Sequence, residues 1–544
     1  MKVKAGETIA ISKLSNGQLL VLGQKMYTYP GPYSPIYLYT VGEDMTIKKS
    51  NELPGSFLKK RIIYRKLMKI DKKFYVFFSF LNTAQKKDYL FYVQIDPSDL
   101  SFSGKPFKVA EVPYKGKKFN QGYYTIEMSE NDKFIVITGI DPTPRERRRR
   151  IFSSVSKIAA EKMQKTTLKS FSFWLLDKNM SVVNHRSNFK VDSKSGNKLY
   201  VKRFRSDAEG TMFVVAENEK RVLTTKKQSK KAGRKTQEKI ENLSYSVFRL
   251  GKDGEDEIEY ETESELLIMD LNLGFSKDGE FVDLVGILYE DVIGLDVATG
   301  IHATRLNKKT MEEVSNETSV FDPEMIKRIN KSQLAAAKKY GAKKKSSKKK
   351  KAAKEAVKYY ENGITNLNTV IAVTYTEDGK ISAILEKQWL EIIVVTSTDG
   401  NGNSRTTVYY VWHYGDLILA AGLGDPDEDP RMDFIDKNDW GLTKYDKGVI
   451  TSFDGSSWYL MAQAAVYKVD PESLNYSTYV VGTKSAGKGG KVKKSSGKRM
   501  DSYGHTYSLS NSVFQNIFEV GEKEFVGIQL RTRKKLVMVK LAAD

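Results

Sequence analysis

Residues 65–112 read RKLMKIDKKFYVFFSFLNTAQKKDYLFYVQIDPSDLSFSGKPFKVAEV. Runs of Val, Ile, Phe, Tyr and Leu alternate with short polar turns, which predicts strands at 65–70, 74–81, 88–95 and 104–112. Short strands joined in sequence by tight turns form an antiparallel meander. This stretch therefore predicts one four-stranded antiparallel unit, and the fold depends on whether the unit recurs.

The first turn of this unit does recur along the chain. Similar turns, each followed by an apolar run, lie near Gly17, Lys72, Asp132, Glu209, Asp278, Asp378, Asp454 and Gly521. Most of the spacings become nearly regular, at roughly 50–60 residues, once four Lys/Arg-rich segments are removed. Only the step from Asp378 to Asp454 stays long.

Eight repeated units predict an all-β protein, a β-propeller of seven to eight four-stranded blades in a single domain, 1–544. The last unit has only three strands after Asn511, so seven blades plus a closing element is an alternative. Two stacked β-sandwiches are a second alternative.

The positive charge is concentrated in four places. The chain of 544 residues has 89 Lys and Arg against 67 Asp and Glu, a net charge of +22. Segments 145–169, 220–239, 323–360 and 484–499 together carry +34, so the remaining residues sum to −12. A mildly acidic body thus carries four strongly basic insertions.

The strand order predicts where these insertions lie. Segments 145–169 and 220–239 each separate the second strand of a unit from the third, whereas 323–360 and 484–499 link one unit to the next. In a four-stranded meander these two kinds of connection lie at the same end of the strands. We therefore predict that all four insertions project from one propeller face.

The insertions are predicted to be flexible and partly helical. Residues 154–164 place apolar side chains at helical spacing. Asp322 followed by Pro323 is a typical helix start, which predicts a helix to about residue 339, followed by a lysine-rich stretch of low complexity.

The clustered cations are the candidate binding residues, for an acidic protein or an anionic glycan. They are Arg147, Arg148, Arg149, Arg150, Lys230, Lys231, Lys343, Lys344, Lys345, Lys348, Lys349, Lys350, Lys351, Lys493 and Lys494. Solvated loops that aid solubility are the alternative interpretation. Nucleic acid is a further alternative, although the usual RNA- and DNA-binding signatures do not occur.

Segment 422–441 is predicted to be an acidic loop. Asp425, Asp427 and Asp429 alternate as the first ligands of a calcium loop do. Pro430 stands where such a loop needs Gly, so calcium is only a weak candidate and no other cofactor is predicted.

Several kinds of chemistry are excluded or unsupported. The chain has no cysteine, which excludes disulfides and thiolate chemistry, and its four histidines form no metal motif. His413 and Asp416 lie close together in an aromatic-rich stretch, where acid–base catalysis and a purely structural role are both open. We assign no catalytic residue.

Three stretches, 73–80, 88–96 and 104–111, resemble the start of uncharacterised exported proteins of Bacteroidetes bacteria. Segments 172–180 and 409–419 resemble two later strands of the same proteins. The resemblance covers about two thirds of the chain and leaves out the basic insertions. It implies a propeller-like fold and export, and it brings no activity and no catalytic residue.

Together these features predict a non-enzymatic binding or scaffold protein whose polycationic face docks its partner at the bacterial envelope. A carbohydrate-binding or carbohydrate-active propeller with a site at its central channel is the alternative. The first residues lack the apolar stretch of an intact secretory signal, and no apolar run of about 20 residues predicts a membrane span. We expect a periplasmic, outer-membrane or extracellular location if a signal has been removed, and a cytoplasmic one if Met1 is native.

Overall fold

The computed structural model describes residues 6–542 except for the following ranges: 26–34, 43–45, 114–122, 130–132, 141–170, 190–197, 228–233, 253–256, 263–266, 293–294, 332–333, 336–337, 339–353, 355–356, 358–359, 399–403, 438, 442–449, 454–456, 462–464, 481–497, 501–505, 509–515, 522–523 and 533–534. Within these limits the chain is almost entirely β-structure.

Eight antiparallel sheets follow one another along the chain, and we number them in that order. Sheet 1 contains β1 (Gly6–Lys13), β2 (Leu19–Lys25), β3 (Ile36–Val41) and β4 (Ile47–Glu52). The short strands β5 (Ser56–Phe57) and β6 (Lys60–Arg61) form a separate hairpin. Sheet 2 contains β7 (Ile63–Ile70), β8 (Lys73–Asn82), β9 (Lys87–Asp96) and β10 (Ser101–Pro113).

Sheets 3 to 5 have the same strand order. Sheet 3 contains β11 (Tyr123–Met128), β12 (Ile135–Ile140), β13 (Phe171–Leu176) and β14 (Val182–Phe189). Sheet 4 contains β15 (Lys198–Ser206), β16 (Met212–Lys227), β17 (Arg234–Leu250) and β18 (Glu257–Glu261). Sheet 5 contains β19 (Ile268–Phe275), β20 (Phe281–Val292), β21 (Leu295–Asn307) and β22 (Glu313–Val320), followed by helix α1 (Pro323–Ile329) and by β23 (Ile364–Thr365), which pairs with β21.

The last three sheets complete the series. Sheet 6 contains β24 (Leu367–Tyr375), β25 (Ile381–Thr398), β26 (Ser404–Leu423) and β27 (Arg431–Ile435), and β28 (Asp439–Gly441) also pairs with β26. Sheet 7 contains β29 (Ile450–Phe453), β30 (Trp458–Met461), β31 (Ala465–Val469) and β32 (Tyr476–Val480). After a small hairpin of β33 (Lys498–Met500) and β34 (Thr506–Ser508), sheet 8 has three strands, β35 (Asn516–Gly521), β36 (Glu524–Thr532) and β37 (Lys535–Ala542).

The sheets pack face against face in sequence order. Six hydrophobic clusters among the described residues lie between successive sheets, from sheets 1 and 2 through sheets 6 and 7. The first strands β1, β7 and β11 approach one another in turn, as do β19 and β24, and β1 also approaches β35 of the last sheet. Radial packing of meander sheets with the first sheet next to the last is the propeller arrangement, so the predicted fold is confirmed.

Strand β8 shows why its sequence is apolar without interruption. Val76 and Phe78 pack in the cluster shared with sheet 1, whereas Tyr75 and Phe77 pack in the cluster shared with sheet 3. Successive side chains in a strand point to opposite faces. Because both faces of sheet 2 are buried, β8 needs apolar residues at consecutive positions, which produces the run FYVFF.

The predicted repeat is also confirmed. The eight turns found in the sequence are the first hairpins of the eight sheets, and the four strands predicted within 65–112 are β7 to β10. The three strands predicted after Asn511 are β35 to β37.

We predict that Phe77→Ala lowers the free energy of unfolding by about 3–5 kcal/mol, because it opens a cavity between two sheets that cannot collapse freely. Phe107→Ala is the matched control, since this side chain is 61% exposed. Denaturant titration of both variants measures the difference, and equal losses would contradict the packing described above.

Candidate binding face

All four basic insertions belong to one end of the strands. Insertions 145–169 and 220–239 fall in the β12–β13 and β16–β17 connections, and 323–360 and 484–499 fall in the links from sheet 5 to sheet 6 and from sheet 7 to sheet 8. Antiparallel pairing places these connections at the same end, as predicted. We call it the insertion end and the opposite one the turn end.

The candidate cations themselves lie outside the described residues. This holds for Arg147 to Arg150, Lys230, Lys231, Lys343 to Lys345, Lys348 to Lys351, Lys493 and Lys494, and for the helix predicted at 154–164. The structure describes the strands on either side of these segments.

The 220–239 insertion differs from the prediction. The sequence predicts a flexible loop there, between a second strand over 212–216 and a third over 244–250, but β16 and β17 continue into it. Their pairing runs without a break in strand order to Lys227 opposite Arg234, with one bulge near Lys220. Because the pairing of β15 with β16 ends at Lys198 opposite Glu219, the hairpin continues past it as a two-stranded ribbon.

The 323–360 insertion is anchored at both ends. The Asp322 carboxylate accepts a hydrogen bond from the Met325 amide at 3.1 Å, so the predicted N-cap is confirmed. Met325, Ile326 and Ile329 pack in the cluster between sheets 5 and 6.

Hydrogen bonds also fix the chain just after this helix. The buried Asn330 side-chain amide donates to the backbone carbonyl oxygens of Tyr360, at 2.9 Å, and Gly363, at 2.8 Å. The two ends of the insertion are therefore tied together at its base, a contact that the predicted flexible, partly helical segment did not include.

The predicted acidic loop 422–441 is shorter than expected, because β27 and β28 occupy most of its second half. Within it, Lys380 lies 3.0 Å from the Asp425 carboxylate and 2.7 Å from that of Glu428. Hydrogen bonds from the Asp427 amide and from Lys380 lower the pKa of Asp425. Among the described residues, no group of three or more His, Asp or Glu side chains could hold a metal ion, so the structure adds no support for calcium at Asp425, Asp427 and Asp429.

The turn end is occupied by bonds between neighbouring sheets. Lys49 of β4 donates to the Ser98 carbonyl at 2.7 Å, and Lys178 pairs with Asp71 at 3.5 Å. Asn184 of β14 donates to the Gly210 carbonyl at 3.0 Å. These bonds join sheets 1 to 2, 2 to 3 and 3 to 4.

The same pattern continues through sheet 7. Lys308, after β21, pairs with Asp207 at 3.6 Å and also with Glu209 in the first turn of sheet 4. Lys277 donates to the Glu377 carbonyl at 3.2 Å, and the Glu377 amide donates to Glu472 at 3.3 Å. The turns at this end contain more Asp and Glu than Lys and Arg. The turn end is therefore acidic and structural.

Most of the innermost strands share an irregularity. Register shifts occur where β1, β7, β15, β19, β24 and β35 pair with their second strands. In β7 and β15 the residues at the shift are Arg65 and Lys202, and each pairs with a buried carboxylate, Asp88 at 3.7 Å and Glu217 respectively. Bulges re-aim side chains, and here they bring cations to acids inside the sheets.

A second cation joins three innermost strands. Arg203 of β15 pairs with Asp270 of β19 at 2.5 Å and donates to the Val370 carbonyl of β24 at 3.0 Å. The Val370 amide in turn donates to Asp270 at 2.8 Å. Sheets 4, 5 and 6 are thus linked near the axis as well as through their apolar faces.

Sheet 6 holds a buried ionic cluster at the base of its long hairpin. Lys437 lies 2.8 Å from Glu386, and their side chains are only 2% and 0% exposed. Gln388 donates to the second Glu386 oxygen at 2.8 Å. Lys387 pairs with Asp416 at 3.0 Å and is nearly as buried.

The residues considered for acid–base catalysis lie beside this cluster. His413 stacks on Trp389 with ring centroids 4.7 Å apart. Burial, followed by the charge of Asp416 and a side-chain hydrogen bond to it, raises the pKa of Asp436.

Sequence reasoning missed these buried ions. The cluster had one visible signal, the Glu386-Lys387-Gln388 triplet inside the apolar stretch of β25. Polar residues in the middle of a buried strand need partners. Nothing in the sequence identified Lys437 as that partner.

Comparison with known proteins gives structural similarity only. No protein-family model and no curated protein sequence matches the chain. Among solved structures, the Dos1 propeller covers 89% of this chain and 94% of its own, with 9% identity and a TM-score of 0.33. Polysaccharide lyase Uly1 covers 88% and 89% with 10% identity and a TM-score of 0.31.

The GH93 α-L-arabinofuranosidase of Fusarium graminearum covers 70% of this chain and 88% of its own, with 6% identity and a TM-score of 0.29. The propeller fold follows from the strand order and packing described above, and the activities of these proteins are not transferred to this chain.

We predict that Lys437→Met lowers the free energy of unfolding by about 3–5 kcal/mol, because it leaves the Glu386 charge buried without its lysine. Lys380→Met is the control, since its partners Asp425 and Glu428 keep contact with solvent. It should leave the denaturation midpoint nearly unchanged. Similar losses in both variants would show that burial of the Lys437 pair is not what matters.

Asp88 should give a specific pH dependence. Burial raises its pKa to about 6, against about 3.9 in an unfolded chain. The folded state therefore holds this proton more tightly, and the contribution of Asp88 to stability is lost as the pH rises from about 4 to about 6, by about 3 kcal/mol. In Asp88→Asn, the difference in unfolding free energy between pH 4 and pH 7 should shift by this amount. Denaturant titrations at both pH values measure it, and an unchanged difference would refute the assignment.

Proposed function

We propose that this protein is a non-enzymatic binding or scaffold protein whose insertion end docks an acidic protein or an anionic glycan at the bacterial envelope. The observation that carries the proposal is the distribution of connections. All four basic insertions leave from one end of the strands, while the turns at the other end are acidic and bonded to one another.

This asymmetry supports a binding role in two ways. The turn end is already used by contacts such as those of Lys308, so a partner there would have to compete with bonds between sheets. The insertion end gathers most of the positive charge of a chain whose remaining residues are net negative. A field of this kind steers an anionic partner toward one face and holds a second copy's like-charged face away.

The buried ion pairs of sheet 6 have a structural role. Lys437 pairs with Glu386, and Lys387 pairs with Asp416, inside sheet 6. These contacts stabilise the base of a projecting hairpin. The envelope location is proposed from the resemblance of 73–111 to exported proteins.

We predict that the intact chain binds polyglutamate and heparin, with an affinity that falls steeply between 50 and 300 mM salt. A variant lacking 343–351 and 484–499 should bind more weakly and with a shallower dependence on salt, because fewer cations contact the polyanion. Fluorescence anisotropy with labelled polyglutamate and heparin measures both quantities. A variant lacking seven residues of the acidic loop, 424–430, is the control and should bind no more weakly than the intact chain. If the intact chain binds neither polyanion at 50 mM salt, the proposal is wrong.

A further inference from the structure

Two long ribbons project from the insertion end, and neither was recognised in the sequence as a ribbon. The first, which we call the cationic ribbon, consists of residues 220–227 of β16 and 234–242 of β17. The second, the apolar ribbon, consists of residues 391–398 of β25 and 404–411 of β26. With eight or nine residues per strand, each ribbon is about 26 Å long.

The strand register of the cationic ribbon puts basic residues at directly opposed positions near its tip. The register pairs Lys226 with Lys235 and Lys227 with Arg234. Like charges at directly opposed positions destabilise a pair of strands. A two-stranded ribbon is marginally stable by itself, so this tip gains stability when an anion lies against it.

The apolar ribbon has its apolar residues in the half nearer the sheet, whereas Ser, Thr and Arg occupy its outer half. Its register pairs Val394 with Val408 and Ile392 with Tyr410 on one face, and Ile393 with Tyr409 on the other. Val394 is 60% exposed. Pairing of β24 with β25 reaches only Lys387, so this part of the hairpin continues beyond the four-stranded sheet.

The two ribbons together specify the chemistry of the partner. A nucleic acid or a sulfated glycan would satisfy the cationic ribbon, but it offers no aliphatic surface to Val394 and its neighbours. A protein with both acidic residues and an exposed apolar strand or patch satisfies both. Sheets 4 and 6, which carry the ribbons, pack on the two sides of sheet 5, so we expect one partner to contact both ribbons.

We propose that the cationic and apolar ribbons form a two-part docking surface for an acidic protein that presents an apolar strand or patch. This inference rests on the proposed function and narrows it from polyanions in general to one class of partner. Salt-sensitive attraction comes from the cationic ribbon, and selection among anionic partners comes from the apolar ribbon.

The test uses the full chain and two synthetic peptides of equal charge, (Glu-Val)8 and (Glu-Ser)8. Binding is measured by fluorescence anisotropy at 150 mM salt, with heparin and a 20-base-pair DNA duplex as further probes. We expect (Glu-Val)8 to bind at least tenfold more tightly than (Glu-Ser)8, because the valines bury apolar surface against the apolar ribbon.

Matched variants separate the ribbons from general surface effects. Val394→Ser with Val408→Ser should remove the preference for (Glu-Val)8 and leave (Glu-Ser)8 binding unchanged. Val182→Ser with Val314→Ser is the control, since these valines are 51% and 56% exposed and begin strands at the turn end. It should keep the preference in full.

The cationic ribbon has its own signature. Lys226→Gln with Lys235→Gln should weaken binding of both peptides about equally, without lowering the thermal midpoint of the unliganded protein, because it removes a repulsive pair. Lys72→Gln with Lys73→Gln, in the first turn of sheet 2, is the control and should bind like the parent. If the midpoint falls, the single variants Lys226→Gln and Lys235→Gln are measured in the same way.

The outcomes distinguish this inference from the proposed function. Equal binding of the two peptides, equal loss in both valine variants, or tighter binding of heparin or DNA than of (Glu-Val)8 overturns the inference. Salt-sensitive binding of polyglutamate or heparin in those cases leaves the proposed function standing. Absence of binding to every polyanion overturns both.

Discussion

Burial of both faces of sheets 2 to 6 is the constraint on which the rest of the molecule depends. A four-stranded sheet such as β7 to β10 has apolar side chains on its two sides, and its own strands cannot cover either one. Each sheet must therefore lie between two others, and a series of such sheets reaches a stable end only when the last meets the first. The approach of β1 to β35 meets that requirement.

This constraint also separates structure from function along each strand. The faces are used for packing, and the turn end is used for bonds such as those between Lys308 and Asp207. The connections at the insertion end can therefore vary in length without disturbing the packed faces or the bonds at the turn end. The four basic segments and both ribbons lie there, and so does the helix at Asp322, which reaches back to pack beneath sheet 6.

The fold could be predicted from the sequence because each repeat has a recognisable turn followed by an apolar run. Each of the eight turns, from Gly17 to Gly521, belongs to the first hairpin of one sheet. The helix cap at Asp322 was recognisable from Asp322 and Pro323 alone. Successive connections of an antiparallel meander alternate between the two ends of its strands. This alternation placed all four insertions at one end.

Other features depend on contacts between distant residues, which leave no local pattern. Lys437 and Glu386 are 51 positions apart, and Arg203 meets Val370 across 167. The extension of β16 and β17 was hidden for a different reason. Lysine-rich composition is typical of a solvated loop, and it outweighed the Val222-Leu223 and Ile240 positions that continue the strands.

The meeting of β1 with β35 has a consequence for how the chain folds. Their residues are more than 500 positions apart, whereas the strands inside each sheet are close neighbours in sequence. Closing so long a loop is the costliest contact in entropy, and long-range contacts form slowly. Individual sheets can assemble as they emerge from the ribosome. One face of the first sheet stays uncovered until the last sheet has been synthesised. Ring closure is therefore a late step in folding. Until it occurs, the uncovered face of the first sheet is the part of the molecule most exposed to incorrect association with other sheets or chains.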